Sequence, residues 1–371
     1  MEKKEASRGI KCLAFYLPQY HPIPENDEWW GKGFTEWTNV TKAKPLFKGH
    51  RQPVFPADLG YYDLRVPEVR AAQAQMAREH GVHGFIYYHY WFGNGKQLLE
   101  RPLKEVVESQ KPDFPFCICW ANESWSGVWH GAPDKTLIKQ EYPGDEDIAL
   151  HFDYLIKLFE DRRYIRVNGL PLFMIYNGVD LPGGKAYTDK LRAEAVRRGL
   201  GGLYILGSNN DNDCWDFLQT GFDGKVSFAF NKIKYQLMGA SRKRVHKKLY
   251  RFFKRIFLGR SYRGVTCIDQ HALVKRIEFE EDPPGDLYPI VVPNWDNTPR
   301  SGHNGVVIRH ATPELFDVLI DKAVDYINNR NMSDQFLILK SWNEWAEGNY
   351  VEPDSEQGYA YLNVLKKHFV E

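Results

Sequence analysis

Short apolar runs alternate along the chain with segments of helical periodicity. The runs are rich in β-branched and aromatic residues, which is typical of buried strands. They occupy residues 11–17, 83–90, 115–121, 170–176, 203–208, 222–228, 288–293 and 336–342. Eight strands that alternate with helices predict an α/β protein with the (β/α)8 TIM-barrel fold and long loops after its strands. We expect residues 1–371 to form this barrel as a single catalytic domain.

Start and stop signals delimit the helical segments between these runs. One segment has Pro67 in its first turn and stops at Gly81, and another, at 145–161, has an acidic first turn. A third has Thr312 as its N-cap and Pro313 at the first helical position. An open doubly wound sheet is the alternative fold, but the glycine-rich phosphate loop that would favour it is missing after the first run.

The residues that follow the predicted strands indicate where the chemistry lies, because the active sites of such barrels lie at the C-terminal ends of the strands. Most of these residues are aromatic, amide or carboxylate, and cations are few. The candidates for substrate binding are Tyr16, Gln19, Tyr20, His21, Tyr88, His89, Tyr90, Trp91, Trp120, Asn122, Glu123, Trp125, Asn209, Trp295, Asp296, Trp342, Asn343 and Trp345. Sugar rings stack on aromatic side chains, and sugar hydroxyls pair with amides and carboxylates, so this rim predicts a site for a neutral polyhydroxylated ligand.

The composition narrows the class of function. Aromatic residues make up 15% of the chain, which suits both a core and platforms for sugar rings. A formal net charge of +1 argues against a nucleic-acid binder that works by bulk charge. The five cysteines form no C-x-x-C pair, the histidines lack zinc-binding spacing, and a G-x-S-x-G elbow is absent. We therefore expect neither a metal nor another cofactor.

Glu344 and Glu347, after the last predicted strand, are the candidate catalytic residues. Cleavage of a glycosidic bond needs one carboxylic acid to protonate the leaving oxygen and one ionised carboxylate to meet the developing positive charge. Two acids at this spacing lie on one face of a helical segment, with Cβ atoms roughly 5–6 Å apart, which favours a retaining mechanism. The alternative is a structural acid pair that binds Arg or Lys.

Glu123, after the third predicted strand, is a further candidate. Its carboxylate could accept a hydrogen bond from a substrate hydroxyl or tune the charge of the acid pair. The alternative interpretation is an ion pair with a basic residue such as Arg300 or Lys340.

A basic segment interrupts the second half of the chain. Residues 241–260 hold nine Lys and Arg residues and no Asp or Glu, within an insertion at about 232–265. Apolar residues at helical spacing leave the cations on the other face, so the pattern predicts a basic amphipathic helix. Such a helix can lie on an anionic membrane surface. The alternative is that it packs its apolar stripe on the barrel as an outer helix or lid.

We expect neither a signal peptide nor a membrane-spanning segment in this sequence. The first apolar run is too short for a signal peptide and is broken by Pro18, and no stretch approaches the length of a membrane span. We expect a cytoplasmic protein, with peripheral contact at the inner membrane as one interpretation of the basic segment.

Several blocks of the sequence resemble one known family. They are AFYLPQYHPIPENDEWWGKGFTEWTNV, GFIYYHYWF, FCICWANESW, PNWDNTPR and SWNEWAEGNYVEPD. In this order they are similar to the WbsX-type proteins, a group like glycoside hydrolase family 99 that is often described as glycosyltransferases of lipopolysaccharide or polysaccharide biosynthesis. The resemblance covers nearly the whole chain.

The resemblance implies a (β/α)8 barrel related to retaining, endo-acting α-mannosidases and mannanases. The W-N-E-W-x-E motif of family 99 falls on Trp342 to Glu347. It implies Glu344 as the base that takes a proton from the sugar's own 2-hydroxyl, and Glu347 as the acid that protonates the leaving group. The chain departs from the family at Ser126 to His130, where a basic stretch is expected.

Three hypotheses follow for the function. The first is a retaining, endo-acting glycoside hydrolase that acts on a polysaccharide or a glycan precursor. The second is a glycosyl-transferring enzyme of lipopolysaccharide, O-antigen or capsule biosynthesis that uses the same carboxylates. The third is a glycan-binding barrel without turnover.

Overall fold

The computed structural model describes residues 7–127, 132–208, 215–227, 229–243, 264–279 and 284–370. Within them, eight parallel strands form a closed ring in chain order, and the last strand pairs back with the first. They are β1 (Lys11–Tyr16), β2 (Val82–Trp91), β3 (Phe116–Trp120), β4 (Leu170–Ile175), β5 (Tyr204–Ser208), β6 (Gly224–Ser227), β7 (Asp286–Val291) and β8 (Phe336–Leu339). All eight predicted strands and the (β/α)8 barrel are confirmed.

Helices surround the barrel and also cross its C-terminal rim. They are α1 (Pro24–Trp30), α2 (Glu36–Lys42), α3 (Pro67–Glu79), α4 (Arg101–Ser109), α5 (Asp145–Phe159), α6 (Lys185–Arg197), α7 (Ala229–Lys243), α8 (Gln270–Arg276), α9 (Thr298–Ser301), α10 (Pro313–Asn328) and α11 (Ala360–Phe369). The helices predicted from Pro67, from Asp145 and from Pro313 are confirmed. The Thr312 side chain accepts a hydrogen bond from the Leu315 N–H, as expected of an N-cap.

Shorter elements complete the described chain. Two 3₁₀ helices and several short strands lie outside the barrel ring, and they are Gly302–Asn304, Trp345–Glu347, Gln97–Leu98, Trp125–Gly127, Ala132–Ile138, Arg166–Val167, Thr266–Asp269 and Val306–Arg309.

The barrel strands are buried on both faces, which is why they read as continuous apolar runs. All residues of β3 and β8 are buried, for example Ile118 and Ile338. Many aromatic residues serve this core, and Phe116 and Phe173 are fully enclosed. Many of the aromatic residues therefore pack in the barrel core and do not lie at the C-terminal rim.

The long connection between β1 and α3 lies across the C-terminal rim. Within it, the Trp37 Nε1–H donates to the Tyr62 carbonyl at 2.8 Å, and the Tyr20 hydroxyl donates to the carbonyl of Asn343 beyond β8. These bonds hold α1 and α2 above the barrel mouth and place Glu36 there.

The basic insertion is described only in part. Residues 232–243 belong to α7, which follows β6, whereas most of the basic segment, residues 244–260, lies outside the described residues. Among the helices of the described ranges, none combines the length and the apolar character that crossing a bilayer requires.

Candidate active site

A cavity of about 680 Å³ opens at the C-terminal rim of the barrel. This is the end at which barrel enzymes carry out their chemistry, and the volume suits a glycan fragment. The predicted site residues that line it are Gln19, Tyr88, Tyr90, Glu123, Trp125, Trp295, Glu344 and Glu347.

Both candidate catalytic carboxylates lie in the wall of this cavity. Glu347 belongs to the 3₁₀ helix Trp345–Glu347, and Glu344 immediately precedes that helix. In a 3₁₀ helix, side chains three residues apart lie on the same side. The turn therefore places both carboxylates on one face, as the predicted helical spacing required. Glu344 and Glu347 are only 5% and 6% exposed.

Glu344 lies beside an ammonium group. The Lys340 Nζ is 3.6 Å from its Oε2, and the Asn349 amide Nδ2 donates to the same oxygen at 3.4 Å. Burial raises the pKa of Glu344 above its usual value, and the charge of Glu347 adds to this, whereas Lys340 opposes it. The carboxyl group therefore has a higher proton affinity than an exposed glutamate.

Glu347 lies beside a guanidinium group. Arg300, in α9, donates through Nη1 to Glu347 Oε1 at 2.7 Å and through Nε to Glu36 Oε1 at 2.8 Å. The acid pair thus binds both Arg and Lys, as the structural interpretation expected. These cations also line the cavity, so the ion pairs leave both carboxylates at its wall.

Two hydrogen bonds of the Asn343 side-chain amide fix the backbone just before Glu344 and Glu347. The side chain of Asn343 accepts from the Leu17 N–H at 2.7 Å and donates to the Leu17 carbonyl at 3.1 Å. This paired contact joins the end of β1 to the turn after β8. Asn343, predicted to bind substrate, instead positions the segment that carries Glu344 and Glu347.

A buried carboxylate, Glu352, is hydrogen-bonded to the turn that carries Glu344 and Glu347. Its Oε2 accepts from the Trp345 Nε1–H at 2.7 Å and from the Tyr62 hydroxyl at 2.8 Å, and its Oε1 accepts from the Gln73 amide at 2.7 Å. Burial raises the pKa of Glu352 to about 7. The Trp345 indole, another predicted substrate contact, is occupied by this bond.

Successive residues at the end of β2 point to opposite faces of the strand, as the two-residue repeat of a strand requires. Tyr88 and Tyr90 face the cavity, whereas the alternate side chains point toward the outer helices. His89 Nε2 lies 2.8 Å from His151 Nε2 in α5, and Trp91 donates to Asp147 of the same helix at 3.2 Å. Burial lowers the pKa of His89 to about 3.

Other predicted contacts also serve the scaffold. Most of them have their polar group hydrogen-bonded within the protein: Tyr16 to Gln73, Tyr20 to Asn343, His21 to the Pro18 carbonyl, Trp120 to the Trp91 carbonyl, Asn122 to Tyr142 and Asn177, and Asp296 to His50, Gln52 and Thr298. The Trp342 ring is fully buried in the core. Asn209 lies outside the described residues. Asn209 stays a prediction, whereas we do not propose the residues bonded or enclosed within the protein as substrate contacts.

Several lining residues were missed by the sequence reasoning or named only as ion-pair partners. They are Trp30, Phe34, Glu36, Asn39, Tyr176, Phe230, Lys234, Tyr235, Asn297, Arg300 and Lys340. Tyr176 directly follows β4, so the rule that located the other strand ends could have found it. Most of the others come from α1, α2, α7 and α9. No hydrophobic periodicity in the sequence predicts that these helices lie over the rim. Three cations, Lys234, Arg300 and Lys340, also line the cavity.

Comparison with known proteins identifies the family. The family described as Glycosyltransferase WbsX matches residues 12–365. The chain belongs to this family. The chain is also 37% identical over 361 residues to WxcX of Xanthomonas campestris pv. campestris, which is described as an uncharacterized protein. That match covers 96% of this chain and 49% of WxcX, so the chain spans about half the length of the curated relatives that it matches.

Solved structures of the same fold agree with the barrel. A GH99 endo-α-mannosidase from Bacteroides thetaiotaomicron aligns with a TM-score of 0.56 at 15% identity, covering 96% of each chain. A glycoside hydrolase-like protein aligns with a TM-score of 0.58 at 15% identity, covering 97% of this chain and 94% of the other. At this identity the likeness shows the fold. The family is described as one of carbohydrate-active enzymes.

Proposed function

We propose that the protein cleaves glycosidic bonds within an oligo- or polysaccharide and retains the anomeric configuration. One observation carries this proposal: two buried carboxylates, Glu344 and Glu347, lie on a single tight turn in the wall of a cavity of about 680 Å³. A glycosidase needs two such groups close together on one scissile bond. The solved relative described as an endo-α-mannosidase makes α-mannosides the first substrates to test.

The cavity is built to hold sugar units on both sides of the acid pair. Trp30 and Phe34 line it from the connection after β1, and Phe230 and Tyr235 line it from α7 after β6. Around the ring, β8 and its acid-bearing turn lie between these two positions. Aromatic faces on both sides supply stacking platforms for a chain that continues past the scissile bond, which supports endo action.

Following the resemblance to family 99, we assign Glu344 as the base and Glu347 as the acid. Glu344 takes the proton of the 2-hydroxyl, whose oxygen bonds to the anomeric carbon as the bond to the leaving oxygen breaks. Glu347 gives its proton to that leaving oxygen. The incoming hydroxyl then transfers its proton to Glu347 while its oxygen bonds to the anomeric carbon. The bond between that carbon and the 2-oxygen breaks at the same time, and the 2-oxygen recovers its proton from Glu344. The two inversions give net retention.

The charges around Glu344 suit the base. Burial raises its pKa, which makes the carboxylate a better acceptor for a hydroxyl proton, while Lys340 at 3.6 Å favours the ionised form that a base requires.

Transfer to another sugar is the second candidate, and the description of the family as glycosyltransferases favours it. Hydrolysis and transfer share the first step and differ only in whether water or an acceptor hydroxyl attacks in the second. The same carboxylates serve both reactions.

The test is product analysis with a panel of oligosaccharides, including α-mannosides. NMR should show that the first product has the substrate's anomeric configuration, and reaction in ¹⁸O-water separates hydrolysis, which incorporates the label, from transfer, which does not. Inverted product would contradict the proposed mechanism. Saturable binding without any product would favour the third hypothesis, a glycan-binding barrel.

The basic segment has its own test, because membrane contact and packing on the barrel make opposite predictions. We propose to replace four Lys or Arg residues within 241–260 by Gln and to measure co-sedimentation with anionic liposomes. Each cation near an anionic surface contributes about 1 kcal/mol to binding, so a membrane contact predicts a large loss of sedimented protein. Unchanged sedimentation would remove the membrane interpretation.

A further inference from the structure

Lys340 occupies an unusual place for a charged side chain. It follows β8 directly, is 8% exposed, and has its Nζ 3.3 Å from the Tyr88 hydroxyl. The rings of Phe15, Tyr88, Tyr176 and Trp295 surround this ammonium at 5.8–6.0 Å. Aromatic faces attract a cation, but they cannot replace the hydration that burial removes.

A carboxylate makes this burial tolerable. Glu344 Oε2, four residues further along the chain, lies 3.6 Å from Lys340 Nζ. Burial works to lower the pKa of Lys340, but the negative charge of Glu344 outweighs it and leaves this pKa above its usual value. The ammonium is therefore charged at neutral pH.

Several charged and titratable groups face Glu344 from the surrounding elements. They are Lys340 after β8, Glu347 on the same turn, Arg300 in α9, Glu36 in α2, and Tyr88 and Tyr90 in β2. Of the two cations among them, Arg300 is bonded to Glu36 and Glu347. Lys340 is the cation whose ion pair is with Glu344.

We propose that Lys340 is a positioning residue that keeps Glu344 ionised and directed into the cavity, so that Glu344 can accept a proton from the substrate. This inference rests on the proposed function of the site. Lys340 acts through Glu344: its ammonium stabilises the carboxylate, and its own place is fixed by the aromatic ring cluster and Tyr88.

The direction of the effect follows from the role of a base. A base must be ionised before it reacts, so kcat/KM rises with pH through the pKa of Glu344 in the free enzyme. A cation at this distance lowers the pKa of a carboxyl by about 1–3 units. Without Lys340, the pKa of Glu344 rises, and the acidic limb of the profile moves toward higher pH.

The experiment compares kcat/KM against pH for the wild type and for Lys340→Met, Lys340→Gln and Lys340→Arg. We expect the acidic limb to move upward by about 1–3 pH units in the Met and Gln variants, as loss of a close cation requires, and to stay near the wild-type position in the Arg variant. An unmoved limb in folded Met or Gln variants would overturn the inference, even if kcat fell, because a merely structural lysine would lower activity at all pH values alike.

Lys322→Met is the matched control. Lys322 is also a partly buried lysine, but its Nζ donates to the carbonyls of Val274 and Ile277 at the end of α8, away from the cavity. This variant should keep the wild-type acidic limb. A shift equal to that of Lys340→Met would overturn the inference.

A titration without substrate separates this inference from the proposed function. In protein labelled with ¹³C at the glutamate carboxyl carbon, Glu344 is assigned as the signal lost in Glu344→Gln, and its midpoint should rise in Lys340→Met. If the midpoint rises while Glu344→Gln retains full activity, the charge coupling holds and the proposed function fails. If the midpoint does not move, the inference fails whatever the activity.

Discussion

Two pairs of buried carboxylates lie at the same rim of the barrel and differ in what surrounds them. Glu344 and Glu347 are 5% and 6% exposed, and Asp296 and Glu352 are 6% and 2% exposed. Burial alone therefore does not distinguish them. Their partners do.

The second pair is saturated by donors from the protein. Asp296 lies 2.8 Å from His50 Nε2 and accepts from the Gln52 amide at 2.8 Å and from the Thr298 hydroxyl at 2.6 Å. Burial raises the pKa of Asp296, but these hydrogen bonds outweigh it and leave the pKa below its usual value. Glu352 likewise has both oxygens bonded within the protein.

The first pair is held by cations in the cavity wall. Lys340 contacts one oxygen of Glu344, and Arg300 contacts one oxygen of Glu347. All four residues line the cavity. An acidic side chain can take part in a reaction only where a substrate reaches it. On the proposed function, the partners of a buried carboxylate, more than its burial, separate a reactive group from a structural one.

Glu344→Gln should have the largest effect on activity. The amide cannot accept the 2-hydroxyl proton, and loss of a positioned base costs about 10²–10⁴-fold in rate, so kcat should fall by that factor while oligosaccharide binding persists. Glu123→Gln is the control, since Glu123 lines the same cavity but lies off the turn. Equal losses in the two variants would remove the distinction drawn for Glu344.

Glu352→Gln should affect activity less and stability more. The amide nitrogen must face a donor among Trp345, Tyr62 and Gln73, and an unmatched buried group costs about 1–3 kcal/mol of the free energy of unfolding. The turn that carries the acids should loosen, so kcat should also fall, with KM little changed. Thermal melting and steady-state kinetics check this prediction.

The same variant has a distinctive pH dependence. The pKa of Glu352 is about 7 in the folded protein and near 4.5 when exposed, so the folded state binds the proton more tightly. Stability from this group is present below the unfolded pKa and is lost as pH rises from about 4.5 to 7. Glu352→Gln should lack that decline. A melting temperature that changes with pH as in the wild type would contradict the assigned pKa.

Asp296→Asn should have the smallest effect on activity. The substitution removes acceptor capacity toward His50 and Gln52, which should lower the free energy of unfolding by about 1–3 kcal/mol. Since Asp296 is bonded within the protein, KM should stay close to the wild-type value. A large rise in KM with unchanged stability would restore Asp296 as a substrate contact.

The sequence predicted the barrel well because its strands have a strong signal. Doubly covered parallel strands appear as apolar runs, and caps such as Thr312 mark helix starts by local chemistry. The same reasoning overcounted the site. It took whole strand ends as one group, although alternate residues such as Tyr88 and His89 point to opposite faces.

The missing half of the site comes from contacts that are distant in sequence. Arg300 reaches Glu347 and Glu36 because α9 and α2 lie on the same rim, and no spacing in the chain announces this. Trp30 and Phe34 reach the cavity through a long connection whose path depends on bonds such as Trp37 to Tyr62. Lys340 is the exception, since its partner Glu344 is only four residues away, but the sequence analysis named Lys340 only as a partner of Glu123.

The most direct test of the two assigned roles is the leaving-group dependence of Glu347→Gln. Substrates with poor leaving groups need protonation of the leaving oxygen, whereas activated aryl glycosides do not. The account predicts a loss of about 10²–10⁴-fold on unactivated oligosaccharides and a much smaller loss on aryl glycosides, with Glu344→Gln impaired on both. Equal losses of Glu347→Gln on the two substrate classes would contradict the acid role.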